Sequence, residues 1–94
     1  MEISSSSNIV TITGNIKALS HYETIKREID TIIENSSSVK IKILESISIT
    51  SSTIGYLCKL VDKGVNIELH VKNDGLIHLL DDLNLISLLN IKKV

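Results

Sequence analysis

The densest run of chemically able side chains lies between Glu45 and Gly55. The segment reads Glu45-Ser46-Ile47-Ser48-Ile49-Thr50-Ser51-Ser52-Thr53-Ile54-Gly55 and carries six hydroxyls. Hydroxyls at a helix start accept hydrogen bonds from backbone N–H groups that lack a partner in the first turn. A serine there can also be phosphorylated, which adds about −1.5 to −2 charges. Helix N-termini tolerate such an anion, because free N–H groups and a partial positive charge face it. The segment therefore admits two chemistries, capping and a charge switch.

Other reactive side chains are scattered. His21, His70 and His78 fall on three separate segments, with no H-x-x-x-H or similar ligand spacing. Each reads as a solvated position. Cys58 is the one cysteine, which excludes an internal disulfide and a Cys-based zinc site. It shares a helical face with Ile54, Leu57 and Val61 and reads as a small buried apolar residue. Asp81-Asp82 reads as the wet face of a helix. A Ser/His/Asp set can be written on paper from Ser51, His70 and Asp74, but nothing in the sequence suggests an oxyanion hole or a substrate pocket. No Gly-rich phosphate loop is present. The expectation is a non-catalytic chain without metal or cofactor.

The elements that must hold the hydroxyl segment follow from periodicity. Asn8–Thr13 is β-branched and predicts a strand. Ser20–Asn35 predicts a helix, opened by a Ser20-x-x-Glu23 capping box and striped by Tyr22, Ile25, Ile29, Ile32 and Ile33. Val39–Leu44 and Val65–Val71 alternate apolar and polar residues and predict two more strands. Between them, Ile54, Leu57, Cys58 and Val61 mark a second helix, stopped by Gly64. Tyr56 and Leu60 fall off that stripe, free to contact a partner or to pack under the neighbouring helix. Asn73-Asp74-Gly75 is a turn with a candidate cap, and Leu76, Leu79, Leu80 and Leu83 give a third stripe. Leu85–Ile91 predicts a short helical turn leading into a terminal strand.

Strands alternating with helices imply right-handed crossovers and a largely parallel sheet. Strands covered on both faces read as continuous apolar runs. Here Lys40 and Lys42, and Asn66, Glu68 and His70, interrupt the apolar positions. The expected fold is therefore α/β and two-layered. It has a mixed, mostly parallel sheet of four to five strands with every helix on one face. The polar face with its alternating Lys40 and Lys42 also allows a homodimer by edge pairing.

Bulk composition fits one soluble domain over residues 1–94. The chain has 94 residues, 43 % hydrophobic and 22 % charged, an ordinary balance for a packed domain. Ile, Leu and Val supply 35 residues, Phe, Trp and Pro none, and Tyr two, so the core must be aliphatic. Two aromatics make no stacking platform for single-stranded nucleic acid. A net charge of −1 argues against binding a duplex, whose affinity comes largely from neutralising phosphates. The opening MEISSSSNIV lacks the basic-then-apolar pattern of a signal peptide, and no apolar run approaches the ~20 residues of a membrane span. A lone thiol fits a reducing compartment. The expected location is the cytoplasm, without membrane insertion.

Ile49–Leu57, ITSSTIGYL, resembles the phosphorylation-site segment of the STAS family, the anti-sigma-factor-antagonist-like domains. The family pattern is roughly Asp-Ser-Ser/Thr-Gly-Leu-Gly at the start of the helix after a central strand. Thr50 stands at the Asp position, Ser51 at the phosphoacceptor and Ser52 at the second hydroxyl. Thr53 stands at the first glycine, Ile54 at the apolar residue and Gly55 at the second glycine. Thr13-Gly14-Asn15-Ile16 resembles the family's early turn, and Leu79–Leu89 its late helix and following segment. Thr50 and Thr53 depart from the pattern. The resemblance implies a bacterial interaction module in transcription signalling. Its partner would be an anti-sigma factor or related serine kinase or phosphatase, bound through Ser48, Thr50, Ser51, Ser52, Thr53, Gly55 and Tyr56. Unmodified, the module would bind, and phosphorylated at Ser51 it would release. The alternative it implies is an accessory subunit docked on the ATPase of a lipid-transport ABC system, which fits a non-acidic Thr50.

Overall fold

A computed structural model describes residues 1–94. Its elements in chain order are β1 (Glu2–Ser6), β2 (Ile9–Thr13), α1 (Leu19–Ile33), β3 (Ser38–Leu44), α2 (Ser51–Asp62), β4 (Asn66–Val71), α3 (Asp74–Asp82) and β5 (Ile91–Lys93). The sheet order is β1-β2-β3-β4-β5, with β1 antiparallel to β2 and every other pair parallel. From β2 to β5 the chain steps across the sheet in one direction. Right-handed crossovers that never reverse direction put all three helices on the same face. The fold is the expected two-layer α/β sandwich.

Alternation decides what each face carries. Val10, Ile12, Val39, Ile41, Ile43, Ile67, Leu69 and Val71 are buried under the helices. Their neighbours Thr11, Lys40, Lys42, Glu68 and His70 share the open face. On that face Glu68 takes an ion pair from Lys92 at 2.7 Å, with Lys40 and His70 beside it. The hydrogen bond from Lys92, then the His70 imidazole 3.3 Å away, hold the Glu68 carboxyl down to about 2.

Helix ends follow local chemistry. Gly64 adopts φ +88° and closes α2, with Gly64 N–H donating to the Val61 carbonyl and Val65 N–H to the Leu60 carbonyl. That pair of bonds is a Schellman stop. Asn84, at φ +60°, closes α3 in the same way through Asp81 and Leu80.

Four readings are corrected. Helix α1 is capped by Ala18 with no side-chain bond, so the Ser20–Glu23 box does not form. His21 instead accepts from Lys17 N–H through Nδ1, and Thr24 bonds back to the Ser20 carbonyl. Strand β1 adds an element that periodicity does not predict, because Glu-Ile-Ser-Ser-Ser has no apolar alternation. A two-residue turn at Ser7-Asn8, with Ser7 at φ +56°, folds it onto β2. In α2 the fully buried side chains are Thr53, Tyr56, Leu57 and Leu60, while Ile54, Cys58 and Val61 are half-buried against the core. The helix is turned toward α1, so Tyr56 and Leu60 pack beneath its neighbour. In α3 only Leu76 and Leu80 are fully buried. Leu79 and Leu83 are 42 % and 50 % exposed, because the short β5 leaves that flank uncovered.

Candidate functional site

The carboxyl ends of β2 and β3 carry two connections that are sewn together. Gly14 N–H donates to the Leu44 carbonyl at 3.1 Å. Asn15 Oδ1 accepts from Ile47 N–H at 3.0 Å. Ser46, only 1 % exposed, is the hub. Its hydroxyl accepts from Ile16 N–H at 3.3 Å and donates to the Ser48 carbonyl at 2.7 Å. The Ser48 hydroxyl then donates to the Ile16 carbonyl at 3.1 Å. A hydroxyl has one donor and two acceptor sites, so Ser46 and Ser48 are committed to joining the two loops.

The next hydroxyls open α2. Thr50 is the N-cap, and its Oγ1 accepts from Thr53 N–H at 3.2 Å. Thr50 Oγ1 and Thr53 Oγ1 also bond each other at 2.8 Å, and Thr53 is 2 % exposed. Ser51 and Ser52 are different. Both are exposed, and neither side chain makes a hydrogen bond within the chain. Four of the six hydroxyls are therefore structural, and two face solvent on the first turn of α2, which holds no acidic residue.

Gly55 continues the exposed strip one turn on. A Cβ built there meets nothing within 4 Å. Glycine in a helix interior costs about 0.5–1 kcal/mol relative to alanine, and nothing in the chain's own packing explains it. Beside this strip runs a cleft of about 560 Å³ between α1 and α2, bordered by Tyr22, Lys26, Asp30, Ser52, Lys59 and Lys63. Its floor is the Tyr56 ring, edge-on to Tyr22 with ring centres 6.4 Å apart. Tyr56 OH donates to Asp30 Oδ1 at 2.5 Å, and Lys26 pairs with Asp30 Oδ2 at 2.6 Å. Burial, then the Asp30 bond, push the Tyr56 phenol far above its ordinary range. Burial alone would raise Asp30, but the bonds from Lys26 and Tyr56 outweigh it and hold the carboxyl below its usual value.

Of the seven residues read as a partner surface, Ser51, Ser52 and Gly55 are exposed together. Ser48 and Thr50 are half-exposed and structurally committed. Thr53 and Tyr56 are buried, Tyr56 with 8 % exposure, so they support that surface from below. Sequence reasoning missed Ser46 as the hub and Asp30 as the partner of Tyr56. Both bonds join residues 26 or more apart in the chain, which no local spacing reveals. The paper triad does not assemble. His70 lies on the open sheet face, the layer opposite the helices that begin at Ser51 and Asp74, and its nearest charged group is Glu68 at 3.3 Å. No cluster of His, Cys, Asp and Glu could hold a metal, and no helix is long and apolar enough to cross a membrane. No family model matches the chain, and no curated protein or solved structure matches it.

Proposed function

We propose that this chain is a non-catalytic interaction module similar to an anti-sigma-factor antagonist. It binds a serine kinase-like partner through the exposed start of α2 and is switched by phosphorylation of Ser51. One observation carries the reading: of six hydroxyls in the segment, the fold consumes four and leaves Ser51 and Ser52 free on the first turn. A phosphate on Ser51 would meet unpaired N–H groups and the positive end of the helix. It would leave the domain folded and change what a partner meets. The open space over Gly55 supports the same reading, since a close-fitting partner would give the glycine a purpose that internal packing does not.

The test is the intact mass of the tagged protein, isolated from its native cells without phosphatase activity, together with the proteins that co-purify. The expected result is one phosphate on Ser51 in part of the population and a kinase-like protein bound to the rest. Ser51→Asp is expected to weaken that complex. An unmodified chain bound to an ABC ATPase overturns the reading in favour of the accessory-subunit alternative.

A further inference from the structure

The two edges of the sheet are built differently. The edge strand β5 has three residues, and Lys92 and Lys93 are two of them. Short length and lysines are how natural sheets prevent edge-to-edge pairing. The edge strand β1 has five residues, no lysine and no proline, and its one charge sits at its start, on Glu2.

The backbone groups that β1 leaves open follow from its neighbours. Lys40 N–H donates to the Asn8 carbonyl and Gly14 N–H to the Leu44 carbonyl, so the even-numbered residues of β2 face β3. Ile9, Thr11 and Thr13 therefore face β1, opposite Ser6, Ser4 and Glu2. Hydrogen-bonding direction alternates along a strand. Ile3 and Ser5 thus turn their N–H and C=O groups outward, unpaired.

We propose that two copies of this chain pair through β1, antiparallel about Ser4, into one continuous sheet with all helices on the same side. A two-fold axis at Ser4 sets Ile3 against Ser5 of the second copy, and Ser5 against its Ile3. Every outward donor then meets an outward acceptor with no slip in register. Glu2 falls opposite Ser6 of the second copy, so no like charges of the two strands face each other, and on the helix side the Ser5 hydroxyl donates to Glu28 of its own chain at 3.2 Å. A net charge of −1 keeps repulsion between copies small. The seam also covers Ile3, which packs against the core from the sheet edge. A five-residue edge buries less than the roughly 1,000 Å² of a stable interface, so the pair forms as concentration rises.

The test is sedimentation of the full chain from micromolar to millimolar concentration. The expected result is a shift from the 10.4 kDa monomer to twice that mass. Ser5→Pro removes an outward N–H and spares the bonds to β2, because proline is tolerated where an edge N–H faces solvent. It also removes the exposed Ser5–Glu28 hydrogen bond, so it is expected to stay monomeric and folded, with a melting midpoint equal to that of Ser5→Ala. Ser4→Lys, which sets like charges opposite each other, is also expected to stay monomeric. In a Cys58→Ala background, Ser4→Cys is expected to oxidise to a covalent dimer. Opposed Cα atoms in a non-hydrogen-bonded pair lie about 4.5 Å apart, within disulfide reach. Ser6→Cys is expected not to, since its two copies sit about 14 Å apart along the strand at ~3.4 Å per residue. A wild-type chain that stays monomeric at millimolar concentration overturns the proposal. So does a dimer that survives both Ser5→Pro and Ser4→Lys, or cross-linking as ready at Ser6 as at Ser4.

Discussion

Helices α2 and α3 both begin where a parallel strand ends, and both are capped by a side chain that accepts from the N–H three residues on. Thr50 does this for Thr53, and Asn73 for Leu76 at 2.9 Å. The next residue separates them. In α3 it is Asp74, whose carboxylate already sits on the positive end of the helix and pairs with Lys93 at 2.9 Å. In α2 it is Ser51, uncharged and unbonded. The approaches differ as well. Two residues join β4 to α3, whereas six join β3 to α2 and are tied down by Ser46 and Ser48. The α3 start is electrostatically complete as folded. The α2 start is held more firmly, yet it leaves vacant the position where α3 has its charge. Under the proposed function, the fixed backbone around a neutral hydroxyl lets added charge change the surface and not the fold.

Breaking the tie between the loops should have the largest effect. Ser46→Ala strips the buried Ile16 N–H of its partner, and an orphaned buried donor costs about 1–3 kcal/mol. Denaturant unfolding should register that loss, and no single substitution between β4 and α3 should match it, because no buried polar hub exists there. The caps come next. Asn73→Ala should cost about 1 kcal/mol. Thr50→Ala should cost more, since it also strands the buried Thr53 hydroxyl. Equal losses at the two caps would mean that the Thr50–Thr53 bond adds nothing.

Much of this was legible in the sequence, and what was not has a common cause. Val39–Leu44 and Val65–Val71 announced their faces through strict alternation, and Gly64 its left-handed stop. The Thr50 and Asn73 caps obey a rule that spans three residues. Strand β1 and the Ser46 hub obey no local rule. A serine-rich edge is a strand only because a turn folds it onto β2, and Ser46 is a hub only because Ile16 arrives from another loop. Leu79 and Leu83 read as core from their spacing, but the next element is three residues long and cannot cover them. Within the site, the cluster of hydroxyls could be read from the chain, while the division into four used and two free needed the fold.

The glycines sharpen the contrast between the two helix starts at a smaller scale. Gly55→Ala should stabilise the chain by about 0.5–1 kcal/mol, because the methyl meets open space. Under the proposed function the same methyl should weaken partner binding, so stability and affinity should move in opposite directions. Gly75→Ala should gain less, since its Cβ would lie 3.1 Å from the Asn73 cap oxygen. A stabilised Gly55→Ala chain that binds as tightly as wild type would remove the argument for an interface over α2.

The smallest effect is the one that tests the charge difference itself. The hydrogen bond from Lys93, then its positive charge, hold the Asp74 carboxyl below its ordinary value of 3.8. A carboxyl whose folded pKa is depressed contributes stability above its unfolded pKa and loses it as pH falls through the folded value. Asp74→Ser should therefore flatten the fall in melting midpoint below about pH 4, leaving the part owed to Asp30 and Glu68, which are also held low. Ser51→Asp should do the reverse, stabilising α2 near neutral pH by about 0.3–1 kcal/mol and adding a new acid-dependent loss. Salt should shrink both effects, because both carboxylates are exposed. If Ser51→Asp instead destabilises the chain at neutral pH, the start of α2 is not prepared for negative charge, and the physical case for a phosphate on Ser51 fails with it.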